Sequence, residues 1–315
     1  MSVAKKVQDI SDPFISVDYW ITKADVSITC TYKNGRPNYP YSVELDRATE
    51  EKSRIVIFLK TDLIEAYIDT LVDMTTPFIL IMASNDDHCA PHVYHPCRSA
   101  SLKEKCCALL ASPNLLALYA KNPCVIDPKV FPIPIGPKWQ WRTTQFFGEP
   151  KAKLLGTYQS LGLCPDARMR ETALKPNLLF LNFSTHTTNA PLYSTHRGIR
   201  ATILAALGKT FAYVPNKPFD EYMETLGTYA FSVSPPGRGI DAHRTWESLM
   251  VGTIPILCTS PLDRLFEDLP VIIVKDGAWD TITPEFLKTE RARILSKEYD
   301  FGICYTRFWD GILAH

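Results

Sequence analysis

Residues 229–258 constrain this chain more than any other stretch. They read Tyr-Ala-Phe-Ser-Val-Ser-Pro-Pro-Gly-Arg-Gly-Ile-Asp-Ala-His-Arg-Thr-Trp-Glu-Ser-Leu-Met-Val-Gly-Thr-Ile-Pro-Ile-Leu-Cys. An apolar run ends at Ser234, and proline and glycine then keep the chain out of regular structure. Asp241 reads as the N-cap of a helix that runs to Val251. Gly252 ends that helix, and a second apolar run begins at Ile254. The order is strand, loop, helix, strand, which predicts a βαβ unit. Its loop lies at the carboxyl end of a parallel strand, where open α/β sheets bind ligands.

The rest of the chain repeats the alternation. Further strands are predicted at Ile55–Leu59, Pro77–Ala83, Leu178–Phe183 and Val271–Val274. Helices are predicted at Asp62–Val72, Ser101–Ala111, Ser194–Leu207, Phe219–Leu226, Pro261–Leu269 and Pro284–Lys297. Ser101 and Glu104 have capping-box spacing. The proline-rich run 131–137 cannot be regular helix. The strands fall into two groups, which predicts two Rossmann-like α/β domains. The first spans residues 1–145, a crossover 146–175, the second domain 176–300, and a final helix at 301–315 packs back towards the first.

The loop at 234–244 suits a diphosphate. Gly237 and Gly239 allow close backbone approach and offer N–H groups. The helix N-terminus adds partial positive charge. Arg244 can fork onto phosphate oxygens, and Glu247, three residues on, can accept from ribose hydroxyls. His243 is a further donor. The bland alternative is a structural turn with Arg244 and Glu247 as a surface ion pair. Against it, seven residues of these types fall within the 11 positions 237–247. The loop lacks the Gly-Lys-Ser/Thr of a Walker A loop and the third glycine of a dinucleotide fingerprint.

The segment from Ser234 to Ile256 resembles the donor-binding segment of exostosin-like glycosyltransferases, in particular the small soluble versions encoded by large algal viruses, among them a xylosyltransferase. The resemblance extends more weakly to Pro77–Asp87, Lys129–Gly136 and Asn182–Arg200. It implies a GT-B fold with a central cleft, a UDP-sugar donor, a glycan acceptor, and inversion at the anomeric carbon without an essential metal. Carried over, it assigns Ser234, Pro235, Gly237, Arg238, Gly239, Asp241, His243, Arg244 and Glu247 to the donor. It adds the strand end Asn182 and Ser184, with Arg197 or Arg200 on the diphosphate. Asp87 aligns with the family's acidic residue and is the first candidate for the base, with Asp86 and His88 behind it. Asp86 stands where relatives carry serine. An Asx-type turn explains the same residues without catalysis.

Tyr94, Trp139 and Trp141 can stack on an acceptor, although packing explains any one of them. His88, with Tyr94 and Trp139, is therefore read as acceptor-binding. The His/Cys group at 88–97 matches no zinc-finger or ribbon spacing, so no metal or other cofactor is expected. Net charge is zero, from 34 basic and 34 acidic residues, which speaks against nucleic acid as the partner. The N-terminus lacks the apolar core of a signal peptide, and nine cysteines fall at irregular spacing. A cytoplasmic protein with free thiols is expected. Two other functions fit the fold: a nucleotide-sugar hydrolase or epimerase, and a non-catalytic carbohydrate-binding protein.

Overall fold

Apolar runs of three to six residues become parallel strands in two separate sheets. The computed structural model describes residues 17–29, 31–33, 36–38, 42–83, 100–137, 165–185, 198–237 and 239–314. The first part holds α1 (Val17–Thr22), β1 (Val26–Ile28), β2 (Thr31–Lys33), β3 (Arg36–Asn38), α2 (Ser42–Glu51), β4 (Ile55–Leu59), α3 (Ile64–Val72), β5 (Phe78–Met82), α4 (Ala100–Ala111), β6 (Leu115–Ala120) and β7 (Val130–Pro132). The second holds α5 (Pro165–Glu171), β8 (Asn177–Phe180), α6 (Ile199–Leu207), α7 (Phe219–Gly227), β9 (Tyr229–Val233), α8 (His243–Met250), β10 (Ile254–Cys258), β11 (Ile272–Val274), α9 (Pro284–Leu295) and α10 (Thr306–Ala314).

The first sheet has the order β1-β4-β5-β6-β7 and is parallel throughout. Both its faces are covered, as a parallel sheet requires. Val56 and Phe58 point into one apolar cluster, while Ile55, Ile57 and Leu59 point into the other. Strands β2 and β3 form a separate antiparallel ladder. Strands β1, β6 and β7 are additions to the sequence reading. Pro132 is tolerated because β7 is an edge strand.

The second sheet has the order β11-β10-β9-β8, again parallel. Leu181, just past β8, also bridges in parallel to Tyr213. Strand β9 already occupies one edge of β8, so Tyr213 takes the other. The chain therefore leaves β8, passes through α6 to one side, and returns through α7 to the opposite side. This reversal is the topological switch point of a doubly wound sheet, and it lies between β8 and β9.

One predicted helix differs from expectation, one is described in part, and one is added. The predicted helix at 261–269 is only a 3₁₀ turn, Asp263–Phe266, closed by Pro270 one residue beyond its predicted end. Helix α6 is described from Ile199, and residues 194–197 of the predicted helix lie outside the described residues. Helix α5, in the stretch read as crossover, docks on the second sheet. Thr172 Oγ1 donates to Gly252 O at 2.5 Å, and Lys175 Nζ donates to Val251 O at 2.7 Å. Gly252 has φ +67° and ends α8. A Cβ there would stand 2.2 Å from Arg168 O, so the close approach of α5 requires glycine as well.

Helix α10 crosses onto the first sheet. Trp309 meets Trp20 edge-on at 5.0 Å, and Asp310 accepts from Tyr19 at 2.8 Å.

Candidate functional site

The carboxyl ends of β8 and β9 are stitched together by two arginines. Arg200, on α6, donates through Nε to Pro236 O at 2.8 Å, through Nη1 to Ser184 O at 2.9 Å, and through Nη2 to Pro235 O at 3.3 Å. It thereby ties the end of β8 to the loop after β9. Arg244, in the first turn of α8, donates to Asn182 O through Nη1 and to Asn182 Oδ1 at 2.9 Å through Nη2. Asn182 is fixed in turn by donating to Val214 O at 2.6 Å. Backbone and side-chain carbonyls and the Tyr222 hydroxyl are among the acceptors that hold the two guanidiniums. Burial and the neighbouring Arg244 charge pull Arg200 down to about 10, which still leaves it cationic near neutrality.

Glu247 is not a surface residue. It is 4% exposed and accepts a hydrogen bond from Tyr222 on α7 at 2.8 Å. Tyr222 OH also receives Arg244 Nε at 3.3 Å, and the Arg244 guanidinium lies 5.5 Å from the Tyr222 ring and 5.8 Å from that of Phe180. One hydroxyl thus links Arg244 to Glu247 inside an aromatic slot. Burial, followed by the Glu247 charge, raises the Tyr222 phenol and keeps it a donor. The sequence reading missed Tyr222. Its only signal is a tyrosine on the helix before β9.

A polar seam fixes α8 against β9. Ser232 meets Ser248 at 2.7 Å, Ser248 donates to Arg244 O at 2.6 Å, and Ser234 meets Thr245 at 2.9 Å. Each deeply placed hydroxyl has a partner, as burial demands. Ser234 spends its hydroxyl here. It also borders a shallow pocket at the ends of β9 and β10, where Ser260, Cys258, Leu262 and Phe266 contribute walls. Burial pushes the Cys258 thiol up to about 12, so it is not a nucleophile near neutral pH.

The loop before α8 departs from the sequence reading. Asp241 is not the N-cap. That position is Ala242, with no side-chain capping bond. Asp241 instead accepts from Ile135 N at 2.7 Å and from Trp246 Nε1 at 2.9 Å. A distant backbone N–H, Ile135, and the indole of Trp246 on the same helix have taken the carboxylate that capping chemistry offers to the first turn. Burial outweighs these donors and pushes Asp241 up to about 7. Gly237 N donates to Gly239 O at 3.0 Å, so this N–H is committed within the loop. Ile240 N and Asp241 N both donate to Asn122 Oδ1, at 3.0 and 3.1 Å. His243 Nδ1 meets Gly136 O at 2.7 Å, which makes Nδ1 the protonated nitrogen. The segments after β6 and β7 therefore make four hydrogen bonds to residues 240–243, through Asn122, Ile135 and Gly136.

Of the donor-side candidates, the structure brings Asn182, Ser184, Arg200, Pro235, Arg244 and Glu247 together at the strand reversal, with Gly237 beside Arg200. It places Gly239, Asp241 and His243 against the first sheet. Asp86, Asp87, His88, Tyr94, Trp139, Trp141, Arg197 and Arg238 lie outside the described residues, as does the His/Cys group at 88–97. Among the described residues, no group of three or more His, Cys, Asp or Glu could hold a metal ion, and no helix is long and apolar enough to cross a membrane.

No family model and no curated protein matches the chain. Among solved structures, it is similar to one described as trehalose-6-phosphate from E. coli bound with UDP-2-fluoro glucose, at 9% identity and TM-score 0.35, covering 81% of this chain and 72% of that one. It is also similar to a sucrose-phosphate synthase from Thermosynechococcus elongatus, at 11% identity and TM-score 0.35, covering 87% and 74%.

Proposed function

We propose that this chain is a glycosyltransferase of GT-B type that takes its sugar from a UDP-sugar donor and passes it to a glycan hydroxyl. One observation carries the reading: Arg200 and Arg244 are fixed at the carboxyl ends of β8 and β9, where the strand order reverses. A switch point is where doubly wound sheets bind nucleotides, and paired guanidiniums suit a diphosphate. Arg244 has three of the five N–H donors of a guanidinium engaged by described residues, which leaves donors for phosphate oxygens.

In this reading the transfer is a single displacement with inversion. The two arginines and the α8 dipole offset the charge that grows on the leaving diphosphate, in place of a metal. Glu247, held by Tyr222, takes the ribose hydroxyls. Asp87, with Asp86 beside it, removes the acceptor proton. Xylose as the sugar rests on the family resemblance alone.

The test is a thermal-shift series with UDP, GDP, UDP-xylose and UDP-glucose, each with and without EDTA. A ligand at 100 times its Kd stabilises by about 2.7 kcal/mol. The expected result is a shift with uridine nucleotides that EDTA leaves unchanged. No shift with any nucleotide would overturn the reading.

A further inference from the structure

Residues 239–243 of the second part are shaped by a side chain from the first. Asn122 follows β6 and is 2% exposed. Its Oδ1 receives two successive backbone N–H groups, from Ile240 and Asp241. Those two donors fix which way the amide points. Its Nδ2 is buried without an acceptor among the described residues, so the amide is held for its oxygen rather than for its full set of bonds. Gly239 is cut to fit this contact. A Cβ there would stand 2.6 Å from Asn122 Nδ2 and 2.8 Å from Oδ1. Ile135 N on Asp241 and Gly136 O on His243 extend the same joint along the loop.

The helix that begins at His243 carries Arg244 in its first turn. The path of 239–243 therefore sets where Arg244 meets Asn182 and Tyr222. Successive N–H groups in such a loop form a cradle that suits an oxyanion. Here a neutral amide oxygen from the other sheet occupies it. That exchanges a free anion cradle for a fixed loop.

We infer that Asn122 is a positioning residue for nucleotide binding, acting through residues 239–243 to hold Arg244 at the strand reversal. The donor site is then a product of both sheets, although Arg200 and Arg244, which the nucleotide-binding reading puts on the diphosphate, belong to the second. The inference rests on the nucleotide-binding reading above for its ligand, but not for its structural part.

Two measurements on the full chain test it. Amide exchange is followed for wild type, Asn122→Ala and Gly239→Ala. Both variants should speed exchange at Ile240 and Asp241 by about tenfold or more, with β9 and β10 as protected as before. Calorimetry with UDP should show Kd weakened by about tenfold in both variants at unchanged stoichiometry. A merely structural loss would lower the stoichiometry and leave Kd alone. Should Asn122→Ala not fold, Gly239→Ala reaches the same contact from the loop side. Unchanged exchange at Ile240 and Asp241 would overturn the inference. So would tighter UDP binding by Asn122→Ala, which would make Asn122 a competitor for donors meant for the ligand. If wild type binds no UDP, the nucleotide reading fails, and the exchange experiment still decides whether Asn122 shapes the loop.

Discussion

The two sheets are built alike and used differently. Both are parallel, and both are covered on two faces. In the first, β1, β4, β5, β6 and β7 lie in chain order, without a reversal among the described residues. In the second, the chain reverses between β8 and β9, because Tyr213 takes one edge of β8 and β9 the other. A reversal sends the two flanking loops to opposite faces and opens a crevice at the strand ends. Arg200 and Arg244 converge there. Towards the loop before α8, the carboxyl ends of the first sheet contribute hydrogen bonds from neutral groups, the Asn122 amide, Ile135 N and Gly136 O, with the Lys121 charge acting on Asp241. The second sheet fixes two arginines at its reversal, and the first holds the loop that precedes one of them.

The largest effect should come from removing the central charge. Arg244→Ala deletes charge-assisted bonds worth about 1.5–3 kcal/mol each. UDP affinity should fall by about 10- to 100-fold, measured by calorimetry, and transfer should fall at least as far. The matched change in the first sheet is Lys129→Ala, which removes a cation bonded to Ser112 O at the amino end of β6. It should leave UDP binding within about twofold. Equal losses in both variants would mean that general positive charge attracts the ligand, and the contrast between the sheets would collapse.

The same contrast explains what the sequence made readable. The unit β9–α8–β10 was legible because its signals are local: a five-residue apolar run, a proline-glycine break, and Gly252 at a position that requires positive φ. Arg200 was a candidate, beside Arg197, through the family resemblance, and Glu247 through its helical spacing from Arg244. What was lost depends on distant partners. Leu115–Ala120 follows α4 closely and is leucine-rich, so its composition does not separate strand from helix. Asp241 has ideal capping chemistry, yet Ile135 N, 106 residues away, claims it. Gly239 reads in the sequence as a phosphate glycine, and the structure adds a constraint that the sequence does not show, the close approach of Asn122. No window in the sequence contains both. Tyr222 was missed for the same reason, since its partners sit 22 and 25 residues on.

An intermediate effect should appear in the pH dependence of stability, where the loop joint and the base of the second sheet pull in opposite directions. Burial raises Asp241 from 3.8 to about 7, so between these values the folded state binds the proton that the unfolded chain has released. Stability contributed here is lost as pH rises through that window. Lys175 is lowered from 10.5 to about 7, again mainly by burial. Between 7 and 10.5 the unfolded chain carries the extra proton, so stability rises with pH. The two groups together predict a minimum near pH 7, with limbs of a few kcal/mol at most. Urea unfolding across pH 4–10 checks it. Asp241→Asn should flatten the lower limb alone, and Lys175→Met the upper limb alone. A lower limb that survives Asp241→Asn would show that the joint is not where the proton binds.

The smallest effect belongs to a second place where the two parts meet. Helix α10 reaches the first sheet through Trp309, packed against Trp20 and Tyr119, and through Asp310, which accepts from Tyr19 and pairs with Lys23 at 2.6 Å. The charged partners are 36% and 47% exposed, so water screens them, and such pairs contribute about 0–1 kcal/mol. The hydrogen bond from Lys23 holds the Asp310 carboxyl below its usual range. Its contribution is present above pH 3.8 and fades as pH falls through the lower folded value, outside the window of Asp241. Asp310→Asn should therefore cost under about 1 kcal/mol at pH 7 and nothing in 1 M salt, where charges a few ångströms apart are screened. The loop joint at Asn122 and Asp241 is buried and should be indifferent to the same salt. If salt weakened both joints equally, burial would not be what separates them, and the polar joint would be as screened as the Lys23–Asp310 pair.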